Sequence, residues 1–190
     1  MNIRKLKIPE QFGSLYVCPV PERTPKAEHE TAHFLLNTAV QELFKIENPV
    51  LAYGAYEKPY FRDYPEIHFN LSHCKGLAVC LISKFECGAD VETCRKIRSG
   101  VMRRVFSPEE QELLKQSEQS DQLFTQLWTL KESYVKAVGR GIGFPMKQVS
   151  FRFEGERIQC SQEDAEFHHF SYEGYAVSLC ILNRNNLSPV

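Results

Sequence analysis

The sequence predicts an α+β fold made of two similar halves. Three observations lead there: residues 28–93 read as a helix followed by strands, residues 107–182 repeat that order, and "KGLAVCLIS" (75–83) is echoed by "EGYAVSLCIL" (173–182), each with a glycine just ahead of an Ala-Val core. The halves divide near residues 93–100, giving 1–95 and 96–190.

From Glu28 to about Glu47, Leu35, Leu36, Ala39, Val40, Leu43 and Phe44 recur at helical spacing, and Asn48-Pro49 ends the run. "VLAYGAYEKPYF" reads as extended chain and turn. "EIHFNLSH", "GLAVCLISK" and "CGADVET", rich in Val, Ile and Phe, read as strands. In the second half "SPEEQELLKQS" and "DQLFTQLWTLKESYVKAV" are helices, the latter stopped by a C-cap at Gly139. "QVSFRFEGERI", "AEFHHFSYE" and "GYAVSLCIL" are strands, and "NRNNLSPV" is a frayed tail.

Composition excludes several function classes. A hydrophobic content of 43% in 190 residues supports an ordinary buried core, and a formal net charge of -1 lacks the basic excess of a nucleic-acid binder. The seven cysteines form no C-x-x-C pair for zinc or redox chemistry. "MNIRKLKIPEQFG" has no apolar core, and no run approaches the ~18–20 apolar residues of a membrane span. The expectation is a cytoplasmic protein with no nucleic-acid or membrane partner.

Chemistry concentrates in a few places. Asp90 and Glu92 are two apart, so on a strand they leave one face while Val91 enters the core. Such neighbours repel unless a cation shares them, which invites a divalent metal, although a solvated strand face gives the same pattern. On the helix "FTQLWTLKESYVKAVGRG", Glu132 and Lys136 border the apolar face formed by Phe124, Leu127, Trp128, Tyr134, Val135 and Val138. They could serve a metal and a phosphate, or form a surface ion pair worth ~0.2–0.5 kcal/mol. Lys131 falls in the middle of that face, where only snorkelling of its stem accounts for it.

Ser107, Pro108 and Glu110 form a capping box, which accounts for Glu110 without catalysis. Between Thr93 and Ser107, Arg95, Lys96, Arg98, Arg103 and Arg104 occur with no acidic residue, either a solvated loop or a site for a polyanion or an acidic protein. Ser72 and His73 are read as donors to an anion where strand pairing ends; a buried histidine bonded to a backbone carbonyl is the alternative. Alternation places His73 and Cys74 on opposite faces, poorly for a nucleophile pair. His168-His169 reads as alternating strand.

In order, "FNLSH", "GADVE", "FSPEE" and above all "WTLKESYVKAVGRG" resemble the 4'-phosphopantetheinyl transferases of the two-domain, surfactin-synthetase-activating type, over about Glu57 to Pro145. The resemblance implies a pseudo-dimer with its active site in the cleft between the halves. There the phosphopantetheine arm of coenzyme A passes to a serine of an apo carrier protein of the acyl, polyketide or nonribosomal peptide type, releasing 3',5'-ADP. Asp90, Glu92 and Glu132 would hold Mg²⁺, with Mn²⁺ as the alternative. Glu132 and Lys136 would be catalytic, with Glu110 also matching a family glutamate. Lys58, Ser72, His73 and Lys136 would bind coenzyme A, Ser72 and His73 at its 3'-phosphate. Arg95, Lys96 and Arg98 are candidates to dock the carrier, and one chain supplying both walls implies a monomer. Ala89 and Glu57 depart from the pattern, as does Phe34, which stands where an arginine is common, leaving Lys26 or Arg23 as substitutes. A divalent-metal phosphoesterase and an inactive binder of coenzyme A or carrier are the rival readings.

Overall fold

Two antiparallel sheets pack face to face, with a long helix laid across the outer side of each. The computed structural model describes residues 2–22, 24–155 and 157–183; Arg23 and the expected tail beyond 183 lie outside them. In chain order the first elements are β1 (Arg4–Leu6), β2 (Ser14–Pro19), α1 (Pro25–Phe44), β3 (Leu51–Tyr53), β4 (Pro59–Phe61), β5 (His68–Cys74), β6 (Leu77–Ser83) and β7 (Cys87–Thr93). Then follow α2 (Ser99–Val105), α3 (Pro108–Gln116), α4 (Ser120–Val138), β8 (Phe151–Glu154), β9 (Arg157–Cys160), β10 (Ala165–Tyr172) and β11 (Tyr175–Leu182).

The first sheet has the order β1-β2-β6-β5 and the second β10-β11-β7, while β3–β4 and β8–β9 are separate hairpins. Strand alternation sorts the side chains into layers. Leu15, Val17, Val79 and Leu81 of the first sheet meet Ala89, Val91, Val177 and Leu179 of the second. On the outer faces, Tyr16, Cys80 and Phe69 pack under Leu35, Leu36 and Val40 of α1, and Cys180 and Leu182 pack under Leu127, Leu130 and Tyr134 of α4. A buried chain from Thr129 to Ser178 (2.7 Å) to His169 (2.9 Å) ties α4 to β11 and β10. Burial drives the His169 pKa down to about 4, so the ring is neutral.

The sequence echo has a structural counterpart. β6 and β11 are each the second strand of a hairpin closed by a two-residue loop, with Cys74 opposite Leu77 and Tyr172 opposite Tyr175. Gly76 and Gly174 take the positive φ (102° and 84°) those turns require. Each hairpin carries a helix, α1 or α4, an arrangement consistent with two similar halves. The chain boundary at 95/96 does not divide the sheets, however, because β7 precedes it and pairs with β11, Asp90 opposite Ser178.

Three local readings are corrected. The first helix begins at Pro25, where Thr24 caps it by accepting from Ala27 N (3.2 Å), and stops at Lys45 in the left-handed region, before Asn48-Pro49. β5 continues through Ser72 and His73 to Cys74, so pairing does not end at those residues. The stretch from Thr93 to Ser107 is only partly loop, since it contains α2. The strands β1 and β2, not expected from the sequence, complete the first sheet. The capping box on α3 is present in both directions, Ser107 N to Glu110 Oε2 (2.8 Å) and Glu110 N to Ser107 Oγ (3.2 Å).

Candidate active site

The site forms where α4 lies on β7 at the closest possible approach. At Gly88 a Cβ would stand 1.9 Å from Ser133 O and 2.5 Å from Ala137 N, so only glycine lets the helix rest on the strand backbone. Two residues on, Asp90 leaves the same face of β7 and meets Lys136, one helical turn beyond Glu132. Lys136 Nζ donates to Asp90 Oδ1 (2.6 Å), Ser72 Oγ (2.9 Å) and Ala89 O (3.2 Å).

Ser72 reaches this point because β7 is an edge strand whose outward N–H groups need partners. β5 supplies them from its side chains: Asn70 Oδ1 accepts from Ala89 N (2.9 Å) and Ser72 Oγ from Val91 N (3.3 Å). The Ser72 hydroxyl then donates to Asp90 Oδ1 (2.9 Å). One serine thereby joins the edge of β7, a carboxylate and an ammonium.

Two further carboxylates, Glu132 and Glu92, lie near enough to Asp90 to feel its charge. Burial raises the pKa of Glu132, and Asp90 raises it further, while Lys136 and Arg95 oppose the rise. Burial likewise raises Glu92, against the pull of Arg95, which ion-pairs with it. The Arg95 guanidinium lies 5.7 Å from the centre of the Trp128 ring, and its backbone N–H is held by Thr125 Oγ1 (2.9 Å). The Asp90 side chain is 8% exposed, and its Oδ2 is buried with no hydrogen-bond partner. A buried carboxylate oxygen left unpaired is costly, and a hard cation would satisfy it. Among the described residues no group of three or more His, Cys, Asp or Glu side chains is arranged to hold a metal ion; Lys136 pairs with Asp90 and Arg95 with Glu92. The residues fit a divalent cation in donor type and in the orphaned oxygen, with the ligand set not yet assembled.

The other expected residues lie as follows. Ser72 and His73 point to opposite faces of β5 and do not share one anion site: Ser72 faces Asp90, while His73 Nδ1 lies 3.2 Å from Glu28 Oε2 on α1. Lys58, expected at coenzyme A, lines the cleft with Glu132 and Lys136 but has its ammonium engaged. Its ammonium bonds Glu86 Oε2 (2.8 Å), Ala137 O (2.7 Å) and Cys87 O (3.3 Å), clipping the β3–β4 turn to the end of α4 and the start of β7. Lys26 is exposed, 3.8 Å from Glu30, and Phe34 is exposed as well. Arg95 pairs with Glu92, while its loop neighbours Lys96 and Arg98 line the same cleft. Glu110 is buried and accepts from Ser107 N, from Phe151 N (2.9 Å) and from Lys131 (2.8 Å), which removes it as a base for an arriving hydroxyl.

Two clefts open on either side of Trp128 and Val101, each walled by residues from both sides of the 95/96 boundary. One, of about 680 Å³, receives Glu132 and Lys136 among Tyr56, Val105, Val135 and Phe144. The other, of about 670 Å³, receives Glu92 among His73, Lys75, Arg95, Lys96 and Arg98. Sequence reasoning missed Asn70 and Gly88, although a glycine two residues before the first carboxylate was a readable sign of close packing.

The carboxylates Asp90, Glu92 and Glu132 thus stand with an ammonium and a guanidinium beside two clefts, one of them rich in basic side chains. Residues 86–180 match the model of the 4'-phosphopantetheinyl transferase superfamily, and the chain belongs to that family. A 4'-phosphopantetheinyl transferase of Bacillus subtilis is 31% identical over 126 residues, covering 64% of this chain and 56% of the relative. The transferase gsp of Aneurinibacillus migulanus is 34% identical over 145 residues, covering 72% and 60%. The chain thus spans less than two thirds of the length of these curated relatives. Among solved structures, the holo-[acyl-carrier-protein] synthase of Thermotoga maritima aligns with a TM-score of 0.45 at 22% identity, over 52% of this chain and 62% of that one. No helix of the described residues is long and apolar enough to cross a membrane.

Proposed function

We propose that this chain transfers the 4'-phosphopantetheine arm of coenzyme A to a serine hydroxyl of an apo carrier protein, giving holo carrier and 3',5'-ADP. The observation that carries the reading is the Asp90–Ser72–Lys136 junction with its one unpaired, buried carboxylate oxygen, in a chain of this family. Asp90, Glu92 and Glu132 would hold Mg²⁺, or Mn²⁺ in its place, which when bound neutralises phosphate charge.

Phosphoryl transfer asks a protein mainly for positioning and charge. Glu132, its pKa raised by burial, would accept the serine proton as the serine oxygen bonds to the phosphorus of the pantetheine arm. The bond from that phosphorus to the bridging oxygen breaks, and 3',5'-ADP leaves with the electron pair. Lys136 would stabilise the leaving phosphate by turning one donor from the Asp90–Ser72 pair. His73 would meet the 3'-phosphate in the cation-lined cleft, where Lys96 and Arg98 would dock an acidic carrier. The chain would act as a cytoplasmic monomer, residues from both sides of the 95/96 boundary in one copy lining each cleft.

The test is the intact mass of an apo carrier after incubation with this protein, coenzyme A and Mg²⁺, with EDTA as control. A metal-dependent gain of one phosphopantetheine is expected. Coenzyme A binding without transfer to any of several carriers would overturn the proposal in favour of an inactive binder. Release of coenzyme A phosphate without transfer would replace it with a phosphoesterase.

A further inference from the structure

Arg95 stands in a position that transfer alone does not explain. It sits at the end of β7, three residues after Glu92, and pairs with that carboxylate, whose side chain is only 12% exposed. The loop backbone around it is fastened to the first turns of α4, Arg95 N to Thr125 Oγ1 and Ile97 N to Asp121 Oδ1, both at 2.9 Å. Its own side chain is 48% exposed and rests on Trp128, the one tryptophan of the sequence. A fixed backbone with a long, half-exposed side chain lets the guanidinium change partner without moving the strand. Its partners differ in kind: Glu92 lines the same cleft as Arg95, with Glu28 as a second carboxylate, while His73, Lys75, Lys96 and Arg98 gather there the basic groups that suit phosphate oxygens.

We propose that Arg95 is an internal counter-ion for Glu92 that competes with the divalent cation and is drawn off by the phosphates of coenzyme A, so that metal and coenzyme A bind cooperatively. The inference rests on the metal reading of Asp90 and Glu92 given above. Without substrate, the guanidinium neutralises Glu92 and holds it from the cation. A pyrophosphate in the cleft offers the guanidinium two oxygens in its preferred forked geometry. Glu92 is then released, and the orphaned oxygen of Asp90 gains a companion ligand. By linkage, whatever factor coenzyme A contributes to metal affinity through this exchange, the metal returns to coenzyme A affinity.

The experiment measures Mn²⁺ affinity by electron paramagnetic resonance, with and without coenzyme A, in the wild type, Arg95→Gln, Lys96→Gln and Asp90→Asn. Mg²⁺ titrations followed by Trp128 emission run alongside. Without coenzyme A, Arg95→Gln should bind Mn²⁺ about fivefold more tightly than the wild type, the scale of one half-exposed ion pair. The gain in Mn²⁺ affinity on adding coenzyme A should shrink by the same factor, and the emission response to Mg²⁺ should disappear.

Lys96→Gln removes an equal charge from the same loop and should tighten metal binding far less. Equal tightening in both variants would overturn the exchange in favour of a general field effect. Unchanged or weaker Mn²⁺ binding in Arg95→Gln would overturn it in favour of a structural arginine. If the wild type binds no Mn²⁺ even with coenzyme A, or Asp90→Asn binds it equally well, the metal reading itself fails and this inference with it.

Discussion

Replacing Lys131 by methionine separates the structural from the chemical part of the helix that carries Glu132 and Lys136. Lys131 is 0% exposed, and its ammonium holds Glu110 Oε2 at 2.8 Å, Met146 O at 3.1 Å and Val149 O. It also lies 5.4 Å from the centre of the Phe106 ring. Methionine fills the volume but leaves Glu110, 1% exposed, as a buried carboxylate held by two backbone donors, with two carbonyls losing a partner. Breaking a buried pair from one side costs about 3–5 kcal/mol. At about 2–4 °C per kcal/mol for a chain of this length, Tm should fall by about 10 °C. Transfer per folded molecule at 20 °C should stay within about twofold, because no bond of Lys131 reaches the Asp90 junction. Adding Glu110→Gln should recover part of the loss, and thermal unfolding of both singles and the double closes the cycle. A Lys131→Met protein that melts like the wild type but transfers nothing would refute the reasoning and make Lys131 a chemical group.

Glu132→Gln should abolish transfer, measured by carrier mass, while leaving Tm equal or slightly higher. Its carboxylate pKa is raised by burial, so as pH rises through that value ionisation costs stability, which glutamine avoids; a large fall in Tm would count against this. Gly88→Ala should destabilise by about 1–3 kcal/mol in urea unfolding and lower kcat as Lys136 is pushed off Asp90; wild-type kcat would mean that this contact does not set the site. Glu86 is held at about 2 by His68 first and then Lys58, against burial. Its stabilisation is present above the ordinary glutamate pKa and lost as pH falls toward 2. With a third of its side chain exposed, screening trims the full shift to about 1–2 kcal/mol. Glu86→Gln should flatten the acid limb of a stability–pH curve, and a parallel curve would contradict the assignment.

Much of this was legible in the sequence, for local reasons. Asp90 and Glu92 share a face because strands alternate, and Glu132 and Lys136 share a border because helices repeat every 3.6 residues. Lys131 was opaque because its partner lies 21 positions back, in a capping box that already seemed to account for Glu110. Ser72 and His73 were joined in one role although the alternation that sets His73 and Cys74 on opposite faces separates them equally. The internal partners of Lys58 are invisible in the sequence because Glu86, Cys87 O and Ala137 O are brought to it only by the fold. The helix α2 buries no side chain fully and has no side-chain cap, so its sequence carried neither usual signal. The strand β2 is a short, nearly unbroken apolar run, which shows no alternation because sheet and helix cover it on both sides.

The pairing of β7 with β11 also sets an order of events in synthesis. Thr93 has Tyr175 as its partner, so the strand bearing Asp90 and Glu92 leaves the ribosome long before the strand that fixes it. Until then the nascent first sheet can form, since β2, β5 and β6 are all in hand, but β7 has the side-chain caps from β5 and its apolar contacts with that sheet to hold it, without a backbone partner. Closing so distant a pair is slow relative to local folding. The strand that carries the carboxylates therefore gains its backbone partner only after residues 175–182 have emerged, and the metal and substrate sites proposed above would be completed when β11 pairs with β7.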